Sequence, residues 1–214
     1  MKKDYKKILK NIYSSKPYTP TIVTVPEMNY LMISGKGHPN DETFQLAAQT
    51  LFPIAYVSKF IVKDRNPADD FVVMPMEVKW RLNRTERDSK RYSWTMMIMQ
   101  PKCITQYFID DAKQKLLQKK KDIPLHDRVR LQAFNEGLCG QIFHVGPYQE
   151  PMERTFGILK DHLAELDYKW ESDSHDVYFN DSRRTSEEKL KTLIRVRIWE
   201  KNDQQPPMED PFVF

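Results

Sequence analysis

Two acidic residues lie inside segments whose alternation predicts β-strands with apolar faces. Glu77 and Asp176 occupy corresponding strands of the two halves of the chain. A carboxylate among apolar neighbours is costly unless it has a partner or faces water, so both are candidates for general-base chemistry. The structural alternative for Glu77 is a salt bridge with Lys79 or Arg197. For Asp176 it is a bond to the turn that follows its strand.

Aromatic residues on the same predicted strands can form flat walls for a ligand: Trp80, Tyr92, Trp94 and Tyr178. Aromatic faces suit planar rings and cations, although each of these side chains can also belong to the core. Tyr178 shares strand parity with Asp176, so both should point to one face of the sheet. His175 and Phe179 should point to the other face. Tyr178 is therefore the predicted hydrogen-bond donor beside Asp176.

Two weaker candidates for ligand binding lie at strand ends. His144 precedes Gly146-Pro147-Tyr148 and can act as an acid or base, or hold the turn. Glu200 ends the last predicted strand, either at a cleft rim or as a solvated charge. The 5 histidines show no metal-site spacing, and neither a nucleotide-binding glycine loop nor a nucleophilic serine elbow is present. No cofactor or metal is predicted.

The composition is that of a folded protein outside the membrane. The chain has 214 residues, 40% of them hydrophobic, and 34 Lys and Arg against 30 Asp and Glu give a net charge of +4. No apolar run is long enough for a membrane span, and no apolar signal segment follows the basic N-terminus, which indicates a cytoplasmic protein. A small charge excess does not predict direct nucleic-acid binding, and Cys103 and Cys139 are interpreted as free thiols.

The hydrophobic periodicity predicts the order β-α-β-β twice. The first half contains strands and a helix at 28–34, 42–63, 72–82 and 92–100, with a hairpin turn at 83–91. The second half repeats this order at 137–145, 150–166, 175–179 and 190–200. Between them, the basic connector 104–135 predicts two helices separated by Pro124. An arm at 1–25, a domain at 26–201 and a tail at 202–214 complete the organisation.

The repeat implies an α+β fold with an internal pseudo-two-fold axis. Gly35-Lys36-Gly37 before the first long helix corresponds to Gly146-Pro147-Tyr148 before the second. Two such units can join into one curved antiparallel sheet with helices on its convex face and a concave face open to a ligand. Glu77 and Asp176 should then approach this concavity from opposite sides, where like-charge proximity raises one pKa.

Several segments, in the same order and spacing, resemble the GyrI-like small-molecule-binding proteins, which have a SOUL/GyrI-type fold. They are GKGHPN at 35–40, PMEVKW at 75–80, WTMMIMQP at 94–101, HVGPY at 144–148, HDVYFNDSRRT at 175–185 and KLKTLIR at 189–195. Relatives usually have His-Glu-Ile-Tyr-Leu where this chain has His-Asp-Val-Tyr-Phe, so Asp176 is shorter by one methylene. They also have Glu-Gly-Leu-Trp at the segment that begins with Glu77.

The resemblance implies a pocket in which aromatic walls and a carboxylate hold a hydrophobic planar or cationic small molecule. Some stand-alone members hydrolyse the cyclopropane of DNA-alkylating cyclopropanoid compounds and protect the cell. In that function Glu77 or Asp176 would activate water, and Tyr178 would stabilise the developing oxyanion. The alternative is non-catalytic sequestration of drugs, or their presentation to a regulator or to gyrase. Haem binding is the weakest alternative, since no histidine spacing singles out an axial ligand.

Overall fold

The computed structural model describes residues 2–82 and 92–204, in which nine β-strands and five α-helices form. The strands are β1 (Thr21–Val25), β2 (Met28–Lys36), β3 (Met76–Leu82), β4 (Tyr92–Gln100), β5 (Arg130–Phe134), β6 (Gly137–Val145), β7 (Tyr168–Trp170), β8 (Ser174–Tyr178) and β9 (Lys191–Glu200). The helices are α1 (Tyr5–Ile8), α2 (Lys10–Tyr13), α3 (Glu42–Arg65), α4 (Gln106–Gln118) and α5 (Glu150–Glu165). Among these described helices, none is long and apolar enough to cross a membrane.

The sheet is antiparallel and strongly curved. Its strand order is β1-β6-β9-β8-β3-β4-β2-β5, and β7 pairs with β9. Only Asn135 and Glu136 link β5 to β6, although these strands are six positions apart in the order. In a flat sheet they would be ~29 Å apart at ~4.8 Å per strand, whereas the link from Phe134 to Gly137 spans at most ~11 Å. The sheet must therefore curl, as the sequence predicted.

Glu136 shows which face lies inside the curve. Its carboxylate contacts His175 Nδ1 at 2.9 Å and Arg195 Nη1 at 3.1 Å, so the face of β8 and β9 that carries these side chains is the concave face. The long helices lie on the other side. Leu163 of α5 packs against Gly140, where a Cβ atom would come within 2.9 Å of it. This confirms the expected placement of the helices on the convex face.

The duplication predicted from the sequence is present as β2-α3-β3-β4 and β6-α5-β8-β9. The halves join where β3 pairs with β8. On the convex face α3 packs over β2 and β4, while α5 packs over β6 and β7. The two central strands, β3 and β8, therefore lie between the long helices.

The concave face is filled, which corrects the expectation that it is open to a ligand. Ile12 and Tyr13 of the N-terminal segment are each 2% exposed. Arg195 Nη2 donates to the carbonyl of Ile12 at 2.7 Å, and Gln141 Nε2 donates to the carbonyl of Asn11 at 3.1 Å. A curled sheet has an interior that needs filling, and this segment supplies part of it.

The connector differs from its prediction. It contains one α-helix, α4, and its second part forms a 3₁₀ turn at His126–Arg128 followed by β5. Arg130 Nη2 donates to Ser34 Oγ at 2.7 Å, so a cation that looked like part of a solvated helix face has a partner on β2. The predicted strand at 72–82 begins only at Met76, and the short strand β7 was not predicted. The hairpin turn at 83–91 lies outside the described residues.

Candidate functional site

A group of acidic and aromatic side chains lies on the convex face, where the two halves of the sheet meet. In the pairing of β3 with β8, Val78 is opposite Asp176 and Met76 is opposite Tyr178. Alternation along both strands then places Trp80, Asp176 and Tyr178 on one face. Phe44 from α3 and Tyr148 from the turn before α5 approach them from the two halves. These five residues are called the convex-face cluster below.

Hydrogen bonds connect three members of the cluster in a defined direction. Trp80 Nε1 donates to the hydroxyl oxygen of Tyr178 at 3.1 Å, and the Tyr178 hydroxyl donates to Asp176 Oδ2 at 3.3 Å. Asp176 Oδ1 is buried and has no hydrogen-bond partner among the described residues. Because a buried carboxyl oxygen without a partner is costly, this atom is the one most in need of a ligand or water.

Burial raises the pKa of Asp176 to about 7, although the charge of His175 and the hydrogen bond from Tyr178 act in the opposite direction. At neutral pH the carboxyl is thus close to half ionised, which suits a group that accepts a proton and returns it. Burial and the neighbouring Asp176 raise the pKa of Tyr178 well above its usual value. Tyr178 therefore remains a neutral donor beside the acid.

Stacked rings form the first-half wall of the cluster. The Phe44 and Trp80 rings are stacked at 5.3 Å between centroids, and Phe44 meets Trp94 edge-on at 5.1 Å. Tyr92 meets Trp80 edge-on at 6.3 Å. Trp94 itself is 1% exposed and lies against Gly35, where a Cβ atom would come within 2.4 Å of the indole. The structure thus places Trp94 as support beneath the wall, while Trp80 and Tyr92 remain partly accessible.

Tyr148 forms the second-half wall and was not predicted as a site residue. Its ring meets that of Tyr178 edge-on at 5.9 Å. It follows Gly146, whose φ of +132° a side chain would strain. In the repeat, the turn that contains Tyr148 corresponds to Gly35-Lys36-Gly37 before the first long helix. This correspondence is the sequence signal that could have identified Tyr148. Phe44 of α3 was likewise not predicted as a site residue.

His144 holds the turn that carries Tyr148. Its Nε2 bonds the carbonyl of Pro147 at 2.9 Å, and its Nδ1 bonds Thr155 Oγ1 of α5 at 2.8 Å. Both ring nitrogens are therefore occupied by structural partners, the alternative noted from the sequence. In this structure the contacts of His144 support the turn and the helix, and they do not serve the predicted ligand role.

Glu77 and Asp176 do not share a cavity, which overturns the expected arrangement of the two acids. Glu77 is paired with Val177, whereas Asp176 is paired with Val78, so adjacent registers send the carboxyls to opposite faces. Glu77 is 0% exposed on the concave side. Its distance from solvent and its separation from the aromatic walls make it a poor partner for a substrate on the convex face.

Glu200 also lies apart from the cluster. It is an exposed residue at the end of β9, opposite Tyr168 of β7. The β9 residue beside Asp176 is Ile194, six positions earlier. At ~3.4 Å per strand residue, Glu200 is ~20 Å away along the strand.

The concave side holds a buried group of charges, called the interior ion network: Glu77, Glu136, His175 and Arg195. His175 Nε2 lies 3.0 Å from Glu77 Oε2, and Tyr13 donates to Glu77 Oε1 at 2.9 Å. Although burial lowers the pKa of His175, the charges of Glu136 and Glu77 raise it to about 9. Burial opposes ionisation of Glu136, but His175 and Arg195 hold its pKa well below its usual value. No group of three or more His, Cys, Asp or Glu suited to a metal ion occurs within the described ranges.

The fold and the convex-face cluster together define a small-molecule-binding domain. Residues 18–198 match the GyrI-like small molecule binding domain, and the chain belongs to this family. A hydrolase from Listeria innocua is 33% identical, with a TM-score of 0.81 over 92% of this chain and 100% of that one. An uncharacterized conserved protein from Listeria innocua is 33% identical, with a TM-score of 0.84 over 92% and 100% of the two chains.

More distant likeness is confined to the fold. The C-terminal domain of EcmrR is 10% identical, with a TM-score of 0.52 over 85% of this chain and 98% of that domain. No curated protein matches the sequence.

Proposed function

We propose that this protein is a hydrolase that opens the cyclopropane ring of DNA-alkylating cyclopropanoid compounds and so protects the cell. The observation that carries the proposal is the Asp176 carboxyl, which is buried between aromatic walls with one oxygen bonded to Tyr178 and the other without a described partner. The similarity of the chain to a hydrolase from Listeria innocua supports hydrolytic chemistry. The site would act in the cytoplasm, before the alkylating compound reaches DNA.

Binding would rest on the partly accessible rings of the convex-face cluster. Trp80 and Tyr148 belong to different halves of the fold, and Tyr178 lies between the halves on β8. A planar conjugated ligand can stack against one ring and meet another edge-on. This arrangement holds the cyclopropane near Asp176 and excludes most bulk water.

The proposed reaction adds one water molecule to the substrate. The Asp176 carboxylate accepts a proton from water while the water oxygen forms a bond to the cyclopropane methylene. The carbon–carbon bond to that methylene breaks, and its electron pair passes through the conjugated ring to the carbonyl oxygen. That oxygen then takes the proton that Asp176 accepted from water and becomes a hydroxyl, which returns Asp176 to its carboxylate form. General-base catalysis of this kind contributes ~100- to 10,000-fold in rate.

Tyr178 connects the base to the developing negative charge. In the resting site its hydroxyl donates to Asp176. When Asp176 takes up a proton it loses its negative charge, so the Tyr178 hydroxyl is free to donate to the new oxyanion. Trp80 Nε1, which donates to the Tyr178 oxygen, keeps that hydroxyl oriented through the exchange.

The test is incubation of the purified protein with a spirocyclopropane alkylator, followed by mass spectrometry for addition of one water. Asp176→Asn should reduce the rate ~100-fold or more, since the amide cannot accept the proton. Asp161→Asn, an acid-to-amide change at an exposed position of α5, is the matched control and should retain the wild-type rate. A wild-type rate in the Asp176→Asn variant would contradict the assignment of the base.

The second candidate function is binding without turnover. A carboxyl among aromatic rings also suits a bulky cation, which the rings attract through their faces. In the same incubation, sequestration would appear as tight binding with the ligand recovered unaltered. That outcome would replace the hydrolase proposal while leaving the location of the site unchanged.

A further inference from the structure

Strand β8 carries two buried titratable side chains at adjacent positions and on opposite faces. His175 is 1% exposed on the concave side, and Asp176 is 3% exposed on the convex side. Neighbours along a strand are separated by one peptide unit, so charge on one side chain acts on the other through protein rather than through water. The interior ion network and the convex-face cluster therefore meet at this pair.

The contacts of His175 favour a charged ring. Nδ1 lies 2.9 Å from Glu136 Oε2, and Nε2 lies 3.0 Å from Glu77 Oε2. The Nδ1 contact is a hydrogen bond, whereas the Nε2 contact is a charge–charge contact without a hydrogen bond, and two carboxylates this close favour the imidazolium. Both acids also receive other donors, Arg195 for Glu136 and Tyr13 for Glu77.

The groups around the two side chains differ in charge. His175 is faced by charged residues and by a tyrosine bonded to one of them: Glu77, Glu136, Arg195 and Tyr13, with Lys79 and Cys139 also within electrostatic reach of Glu136. Asp176 is bonded by the neutral hydroxyl of Tyr178, with the neutral side chains of Trp80, Ser174 and Tyr148 nearby, and Asp181 is within electrostatic reach of Tyr148. His175, on the other face of the same strand, is a nearby cation that favours ionised Asp176.

We propose, resting on the hydrolase function above, that His175 is a positioning residue whose imidazolium, clamped between Glu77 and Glu136, stabilises the carboxylate form of Asp176 through the sheet. It does not touch the substrate. Its contribution is to let a buried acid be ionised at neutral pH, where hydrolysis needs a base. Glu136, which bonds Nδ1 of the ring at 2.9 Å, keeps His175 charged.

The proposal predicts shifts of opposite sign in two variants. His175→Gln removes the cation and should raise the pKa of Asp176 by about one unit. Glu77→Gln removes an anion while Glu136 still bonds the ring, so it should lower the pKa of Asp176 by about the same amount. If His175 had only a structural role, the two variants would shift the pKa of Asp176 in the same direction or not at all.

The measurement is ¹³C NMR titration of protein labelled at the aspartate carboxyl carbons, with Asp176→Asn to assign the signal. Lys59→Met is the matched control, because Lys59 is a buried cation paired with Asp70 at 2.8 Å, away from the cluster, and its loss should leave the Asp176 titration in place. If His175→Gln does not fold, ¹⁵N NMR of the histidine rings in the wild type decides the question, because a neutral His175 ring at the pH where Asp176 titrates would overturn the proposal. Unchanged titration, or shifts of the same sign, would overturn the proposal.

The pH profile of hydrolysis supplies the second readout. The acid limb of kcat/KM should move up about one pH unit in His175→Gln and down about one unit in Glu77→Gln, with the plateau above it less affected. The NMR titration needs no substrate, so the two proposals can fail separately. Absence of hydrolysis in the wild type refutes the proposed function, whereas the signs of the carboxyl shifts alone decide the role of His175.

Discussion

Two buried carboxyls on the two faces of one sheet behave in opposite ways. Glu136 on the concave side has a pKa held below its usual range by His175 and Arg195. Asp176 on the convex side has its pKa raised to about 7 by burial, with the neutral donor Tyr178 as its hydrogen-bond partner. Equal burial thus gives a permanent anion in one region and a titratable acid in the other. The charge of the partners, rather than depth, decides which acid can do chemistry.

The largest expected effect comes from removing a cation on the concave side. Arg195→Met leaves Glu136 with less compensation and leaves the carbonyl of Ile12 without its donor. Breaking a buried pair in this way costs about 3–5 kcal/mol. Urea denaturation should show a loss of this size at pH 7. A loss below about 1 kcal/mol would mean that the network does not stabilise the fold.

The opposite result is expected on the convex side, where Asp176→Asn should stabilise the protein at alkaline pH. A folded-state pKa raised from 3.8 to about 7 means that wild-type stability from this group is present at low pH and is lost as pH rises through about 7. At pH 8 the variant should therefore be more stable by up to about 4 kcal/mol. Thermal denaturation from pH 4 to pH 8 checks this, and equal curves for both proteins would contradict it.

A matched pair of tyrosine variants sharpens the comparison further. Tyr13 and Tyr178 each donate a hydroxyl hydrogen bond to a buried carboxyl, one on each face. Tyr13→Phe should cost about 2 kcal/mol of stability with hydrolysis largely retained, because its partner belongs to the interior ion network.

Tyr178→Phe should instead lower hydrolysis ~10- to 100-fold, with a smaller loss of stability. The same denaturation and mass-spectrometric assays measure both variants. If Tyr13→Phe and Tyr178→Phe lose activity and stability equally, the assignment of catalysis to the convex face and of stability to the concave face is wrong.

The smallest effect is expected at the aromatic wall. Trp80→Phe keeps a ring stacked near Phe44 but removes the N–H that orients Tyr178. Ligand affinity should fall by about 1 kcal/mol, close to fivefold, as measured by isothermal titration. Tyr56→Phe, at an exposed position of α3, is the control and should bind as the wild type does. A larger loss in the control would place the ligand elsewhere.

Local patterns in the sequence predicted one face of the site correctly. Strand alternation predicted that Asp176 and Tyr178 share one face of the sheet and that His175 points to the other face, as the structure shows. The repeat predicted the two β-α-β-β units and the convex position of the helices. Such features depend on residues that are neighbours along the chain, so periodicity is enough to identify them.

What the sequence did not reveal depends on register and long-range closure. Alternation within β3 already sets Glu77 on the face opposite to Trp80, but its position relative to Asp176 depends on the pairing of β3 with β8, which no local signal specifies. The arm was not predicted to contribute to the interior, because Ile12 and Tyr13 contact Arg195 and Glu77, which lie far along the chain. The strand β5 was hidden by charges that find partners on β2.

The short link between β5 and β6 has a consequence for how the duplicated halves assemble. Its Glu136 completes the charge set of His175 and Arg195, both contributed by the second repeat. Strand β1, from the N-terminal region, also pairs with β6. We therefore expect neither half to be stable as an excised fragment, because each would lose partners that neutralise its interior charges or pair its edge strand.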